Sequence, residues 1–528
     1  VPSPISGRWN SSRGPVAANA AVTRPADAAA AACGSAPSSA RRQTDGRAPS
    51  PRAAAAKPAS WFSWCRRRPC SVQSGQIYRQ LRDAILDGRL RATEPVPPTR
   101  ELARRLAVSR NTVAVAYDRL AAEGFLRSRV GAGTFVQAAG AAPRGAPAAS
   151  PLRPRRVWDD LAVWPRPMPG IRWDLRAGVP DVRLFPFEAW RRITAGVLRP
   201  SGLRDAASAG DPAGLADLRE AIARHVGVSR SVRAGAADVL VTSGTQQAID
   251  LVVRVLLEPG DVVAVEDPGY QPVVTLLRAA GLRVVGVPVD AEGLRVDELP
   301  GAARAVYVTP SHQFPLGMPM SLPRRRALLA WARRRDAVIV EDDYDTEFRY
   351  GGRPIEPLQS IDEDGRVLYT GTFSKVMRPV LRLGFLVAPP SLHRALRLAR
   401  YASSWHAELP AQAALARFID EGLLARHVRR SRRAYQARHE RVAELAGRWS
   451  RPVPAEAGLH LSAALPAGTD DAAVARRALD AGIGLFALSE FAVTGPAAPG
   501  LVLGYGAVDE AAIDAALARL ERVIAGRA

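Results

Sequence analysis

The chain has 528 residues, 47% of them apolar, and a formal net charge of +22. That length suits two or three domains with sizeable cores, and no apolar run approaches the roughly 20 residues of a spanning helix, so no membrane segment is expected. Cys33, Cys65 and Cys70 all precede residue 71, which leaves no disulfide for the part predicted to fold and suits a reducing cytoplasm.

Residues 1–70 hold ten arginines and one lysine against two aspartates, and residues 71–136 eleven arginines against six acids. A basic N-terminal third points to a polyanion partner, most naturally nucleic acid; for the first 70 residues an arginine-rich coding bias explains the charge equally well. Lys57 and Lys375 are the only lysines among the 73 basic residues.

Residues 1–70, rich in Ala, Pro, Ser and Arg, show no helical or strand period and are predicted to be disordered. From Gly75, "IYRQLRDAILDGRL" places Ile77, Leu81, Ile85 and Leu86 on one helical face and stops at Gly88. "PPTRELARRLAV" reads as a second helix with Thr99 as N-cap, and "SRNTVAVAYDRLAAEGFL" as a third, capped by Ser109, with Val113, Ala116, Tyr117 and Leu120 inward. "LRSRVGAGTFV" follows as a hairpin around Gly131 and Gly133. Residues 71–137 thus form one small domain, and the Ala/Pro/Arg/Gly-rich stretch 138–172 reads as a linker. From Trp173 to the C-terminus, β-branched runs such as "DVLVTSG", "DVVAVED", "RAVYVTP" and "AVIVEDD" alternate with helical stretches. The rhythm predicts an α/β domain, 173–528, with a largely parallel sheet covered on both faces, and its last 110 or so residues form a smaller α+β lobe.

Two helices joined by a tight turn, the second opening on Arg110, Asn111 and Thr112, have the form of a recognition helix for the major groove. Arginine pairs with guanine and asparagine with adenine, while Ser109 and the backbone amides suit phosphate. Arg100, and Arg127 and Arg129 beside the hairpin, add backbone or minor-groove contacts. The other reading is a helical dimerisation module with a solvated basic face. Residues 76–136, "PPTRELARRLAVSRNTVAVAYDRLAAEGFLRSRVGAGTFV" above all, resemble the winged helix of GntR-family bacterial regulators, which implies operator binding by a dimer.

Lys375, in "TGTFSKVMRPVLRLG", offers what a guanidinium cannot: an amine that sheds its proton and condenses with an aldehyde. The parts of a pyridoxal phosphate site lie nearby in sequence. Asp342 and Tyr344 end a buried strand two residues apart, fitting the ring nitrogen and the ring hydroxyl. "VTSGTQQAIDL" runs strand, turn, helix, so the amides of Gly244 and Thr245 would meet a phosphate, which Arg382 could close bidentately. Tyr270, in "EDPGY", could stack on the ring.

"SGTQQAIDL", "EDPGY", "TPSHQFPLGMPMS", "EDDYDTEFRY" and "GTFSKVMRPVLRLGFL" resemble the MocR/PdxR-like subfamily, in which a fold-type-I aminotransferase domain follows a GntR winged helix. The resemblance implies that Lys375 carries the cofactor as a Schiff base, with Asp342, Tyr344 and Tyr270 around its ring and Gly244, Thr245, Thr372 and Arg382 at its phosphate. Three departures stand out. Ala209 replaces the tyrosine usual before Gly-Asp-Pro; Phe314-Pro315-Leu316-Gly317 replaces Asn-Pro-x-Gly, leaving His312 or Gln313 as substitutes; and no arginine lies between Gly482 and Tyr505 to grip a substrate carboxylate. These favour sensing over turnover. The expectation is a cytoplasmic, dimeric transcriptional regulator that responds to pyridoxal phosphate or an amino compound. A working aminotransferase with an accessory DNA-binding domain, and a regulator with a degenerate, cofactor-free site, are the alternatives.

Overall fold

The computed structural model describes residues 74–137, 153–199, 210–351, 356–495 and 498–526; the tail 1–70, with the three cysteines, and Ala209 lie outside the described residues. The chain divides into two compact units, Val1–Ser150 and Pro151–Ala528.

The first unit contains α1 (Ser74–Leu86), β1 (Pro95–Val96), α2 (Thr99–Leu106), α3 (Arg110–Ala122), β2 (Leu126–Arg129) and β3 (Gly133–Val136). Ile77, Leu81 and Ile85, four apart, pack with Val113, Ala116, Tyr117 and Leu120. Leu86 does not join them and is 45% exposed: it lies 100° round the helix from Ile85, and Leu90 from the following turn fills the core instead. Thr99 is not the N-cap of α2. Pro98 occupies that place, its carbonyl accepting from Glu101 and Leu102, so the threonine comes one residue too late to cap. Ser109 does cap α3, its hydroxyl accepting from the amide of Thr112 at 3.1 Å. Only Ala107 to Ser109 separate α2 from α3, and Ala107 makes the turn in the left-handed region at φ 55°. β2 and β3 form the expected hairpin, and β1 adds a third strand, in the order β1-β3-β2; two residues that begin on Pro95 and are followed by Pro97 gave no strand signal.

The second unit is built on eight strands after the short β4 (Trp173–Asp174): β5 (Val239–Thr242), β6 (Val262–Asp267), β7 (Arg283–Asp290), β8 (Gly293–Leu294), β9 (Ala303–Val308), β10 (Val338–Asp343), β11 (Val367–Thr372) and β12 (Gly384–Val387). Their order is β5-β12-β11-β10-β9-β6-β7-β8. β11, β10, β9, β6 and β7 run parallel, and their valine-rich sequences are buried because helices cover both faces. β12 is antiparallel to both neighbours: only residues 373–383 connect it to β11, fewer than the dozen or so that a parallel crossover needs. The smaller lobe has β13 (Arg451–Pro452), β14 (His460–Ala464), β15 (Ile483–Gly484), β16 (Phe486–Ala487) and β17 (Gly500–Gly504). β13-β14-β17-β16 form an antiparallel sheet, while β15 pairs with β4. The later part of the stretch read as linker packs with this unit: Met168 is buried and the Trp164 ring sits 4.9 Å from Phe486 and 5.5 Å from Phe491. Isolated anchors in an Ala/Pro/Arg background carry no periodicity to reveal them.

Candidate functional site

A cavity of about 330 Å³ opens where the sheet's parallel strands end, and Lys375, Asp342, Tyr344, Tyr270, Thr245, Thr372 and Arg382 all line it. Carboxyl ends of parallel strands are where such sheets bind ligands, and the register explains the convergence. Asp342 on β10 lies opposite Thr370, Thr372 opposite Gly384, and Gly384 opposite Thr242 at the end of β5. Lys375 follows β11, and its ammonium donates to the carbonyl of Gly178 at 2.8 Å. Gly244 is not itself on the wall. It is the N-cap of the helix Thr245–Leu256, at φ 93°, and a Cβ there would lie 3.1 Å from a guanidinium nitrogen of Arg382.

Burial lowers the pKa of Lys375, with Asp345 and Asp342 opposing; an amine so placed gives up its proton readily. Burial raises Asp342 to about 7, against the hydrogen bond from the Tyr307 hydroxyl, 2.7 Å from Oδ2. The Tyr270 hydroxyl is pushed up to about 12, again by burial.

Several buried polar atoms on this wall have no partner among the described residues: Asp342 Oδ1, Thr245 Oγ1 and Gln246 Nε2. Buried polar groups are rarely left so. One bare carboxylate oxygen at one end, and at the other a helix N-terminus with a hydroxyl, an amide and the Arg382 fork, suit a ligand with a protonated ring nitrogen and a phosphate. Lys375 stands on the same cavity. Pyridoxal phosphate fits this donor set.

Sequence reasoning missed several wall residues. Tyr307, Gly178, Gln246, Ser374, Arg176 and Trp164 all line the cavity; of these Gln246 and Ser374 lie inside stretches read as parts of the site, and Tyr307 inside "RAVYVTP", read only as a strand. Thr372 turns its hydroxyl to Ser374, accepting from that residue's amide at 3.1 Å. Neither His312 nor Gln313 takes the place of the missing asparagine on the wall. Phe314 is there instead, while the Gln313 amide donates to Pro268 and Phe314 carbonyls, and His312 reaches the cavity only through Tyr344.

On the first unit Arg100, Arg110, Asn111, Arg127 and Arg129 are all exposed, and among the described residues Arg100, Arg110 and Arg127 have no acidic partner. Ser109 and Thr112 are engaged with each other, their hydroxyls 2.8 Å apart. The Arg129 guanidinium lies 5.6 Å from the Phe135 ring.

Residues 73–136 match the model for bacterial regulatory proteins of the gntR family, and residues 201–520 that for aminotransferase class I and II. The probable rhizopine catabolism regulatory protein MocR of Rhizobium meliloti is 38% identical over 456 residues, covering 82% of this chain and 90% of its own. The chain belongs to the MocR-type regulators of the GntR family. Among other MocR-type relatives, the pyridoxine biosynthesis regulator PdxR of Corynebacterium glutamicum is 32% identical, covering 86% of this chain and 96% of its own. The solved kynurenine aminotransferase of Pyrococcus horikoshii is 29% identical with a TM-score of 0.63, over 68% of this chain and 91% of that one. As in the enzymes, the second unit of this MocR-type chain is a fold-type-I domain. Among the described residues no helix is long and apolar enough to cross a membrane. In this MocR-type chain Arg176 is, among the described residues, the one arginine on the cavity wall besides Arg382, and Asp174 holds it at 2.7 and 2.8 Å.

Proposed function

We propose that this transcriptional regulator binds operator DNA through its winged helix and holds pyridoxal phosphate on Lys375, and that cofactor binding, or reaction with an amino compound, changes its affinity for DNA. The observation that carries the reading is the juxtaposition of Lys375, the only lysine among the described residues, with a buried, unpartnered Asp342 oxygen and the Arg382-capped helix N-terminus. When bound, the cofactor supplies an aldehyde carbon that primary amines attack. Asp342 holds the proton of the ring nitrogen, Arg382 and the amides at Gly244 and Thr245 neutralise the phosphate, Tyr270 covers the ring, and Tyr344 donates to its hydroxyl. Thr372, its hydroxyl held by Ser374, shapes the phosphate end. In the first unit Arg110 and Asn111 read base edges, while Arg100, Ser109, Thr112, Arg127 and Arg129 contact the backbone or minor groove.

Sensing is favoured over turnover because, among the described residues, the pocket has no free carboxylate clamp. No arginine lies between Gly482 and Tyr505, and Arg176 is already neutralised by Asp174. A dimer is the working form, because a two-fold protein matches a two-fold operator. Pure protein given pyridoxal phosphate should turn yellow and Lys375→Ala should not. A colourless parent would overturn the cofactor reading, and rapid steady-state transamination with common amino donors would overturn the assignment to sensing.

A further inference from the structure

Behind Tyr344 lies a buried polar chain that the cofactor contacts above do not use. His312 Nδ1 is 2.9 Å from Asp345 Oδ1 and also 2.9 Å from the Tyr344 hydroxyl. His312 and Asp345 are both about 1% exposed. The backbone closes over them at Gly458 (φ 89°), where a Cβ would lie 2.1 Å from His312 Cε1 and 2.6 Å from Asp345 Oδ2. With the Asp345 carboxylate as acceptor, Nδ1 is the donor of that pair. The Tyr344 oxygen then accepts from the same N–H, and its own hydrogen is turned away from the histidine, toward the cavity that Tyr344 lines.

We infer that His312, held by Asp345, is a positioning residue that makes Tyr344 an obligate hydrogen-bond donor to the ring hydroxyl oxygen of the cofactor. The inference rests on the cofactor reading above. It also gives a reason why Phe314 can stand where related sequences place asparagine: the donor is supplied through the tyrosine from behind. His460 packs beside His312, ring centroids 5.1 Å apart, and its Nε2–H donates to the Pro315 carbonyl at 3.1 Å. The titratable groups around His312 are therefore Asp345, Tyr344, His460 and His439, with Lys375 and Asp342 on the cavity side.

A donor to the ring oxygen favours its deprotonated form and lowers the pH at which the visible band of the loaded protein titrates. The test follows that band against pH in the full-length holo-protein. Tyr344→Phe should raise the midpoint by about one unit. In His312→Asn the amide replaces Nδ1, and the midpoint should stay within about 0.3 unit of the parent. In His312→Gln the amide replaces Nε2 instead. Tyr344 then loses the N–H that its oxygen accepted, nothing holds its hydrogen toward the cavity, and the midpoint should rise toward that of Tyr344→Phe. Equal behaviour of the Asn and Gln variants would overturn the inference. Should either fail to fold, ¹⁵N shifts of the parent's histidine rings decide: a proton on His312 Nδ1 is expected, and one on Nε2 alone overturns the proposal. A colourless parent would overturn the cofactor reading and this inference together, whereas a yellow parent with an unmoved His312→Gln overturns only the inference.

Discussion

Gly244→Ala separates the phosphate end of the cavity from the rest. Gly244 sits at φ 93°, ψ 174°, a region essentially reserved for glycine, where another residue costs about 1–3 kcal/mol. The added Cβ would meet Arg382 Nη2 at 3.1 Å and Cζ at 3.4 Å. The guanidinium is the flexible partner, so it moves, and with it goes the fork aimed at the phosphate. A hydrogen bond to a charged group contributes about 1.5–3 kcal/mol, so affinity for pyridoxal phosphate should fall on the order of 10- to 100-fold. Unphosphorylated pyridoxal makes no such contact and should lose no more than about threefold. Absorbance titrations with both ligands measure this directly. Equal losses for the two ligands would refute the placement of the phosphate at this helix N-terminus.

Other consequences concern charge, packing and DNA. Burial pushes Glu266 up to about 7, against hydrogen bonds from Thr309 and Gln313. Because the folded pKa is raised, its contribution to stability is full below about pH 4.5 and lost as pH rises through 7. Glu266→Gln should therefore gain on the parent by up to about 3 kcal/mol across that window, and thermal melts at pH 5 and pH 8 showing a constant difference would contradict it. Trp164→Ala removes an aromatic wall packed on Phe486 and Phe491. It should weaken cofactor binding on the order of tenfold without touching the DNA affinity of the cofactor-free protein, as paired absorbance and anisotropy titrations would show. Asn111→Ala should cost about 1–3 kcal/mol of operator binding, with cofactor absorbance intact; unchanged binding would move the recognition surface elsewhere.

Much of the site was legible because its chemistry is local. In an arginine-writing chain Lys375 stood out by residue type alone, and "VTSGTQQAIDL" announced strand, turn and helix in eleven residues. Asp342 lies on the strand as its pattern predicts, whereas Tyr344 falls one residue beyond the end of β10 at Asp343 and lines the cavity from the bend that follows. What escaped depends on tertiary closure. Trp164 lies in a segment without periodicity, yet lobe packing brings it to the wall. Tyr307 lies 35 positions before Asp342 and reaches it only because β9 and β10 are paired. His312 was noticed as a stand-in for asparagine, but nothing in sequence tells that its ring faces Asp345 rather than the cavity. In the winged helix the buried faces of α1 and α3 were read from spacing, whereas the cap of α2 shifted by one residue because Pro98 took the position assigned to Thr99.

The most direct measurement is a single titration of the full chain, bound to a fluorescent duplex from upstream of its own coding sequence, with pyridoxal phosphate, recording visible absorbance and anisotropy together. Both signals should change with one midpoint in the parent, and neither in Lys375→Ala. An anisotropy that stays flat while the absorbance saturates, or a response in Lys375→Ala equal to that of the parent, would contradict a regulator that reads its cofactor through Lys375.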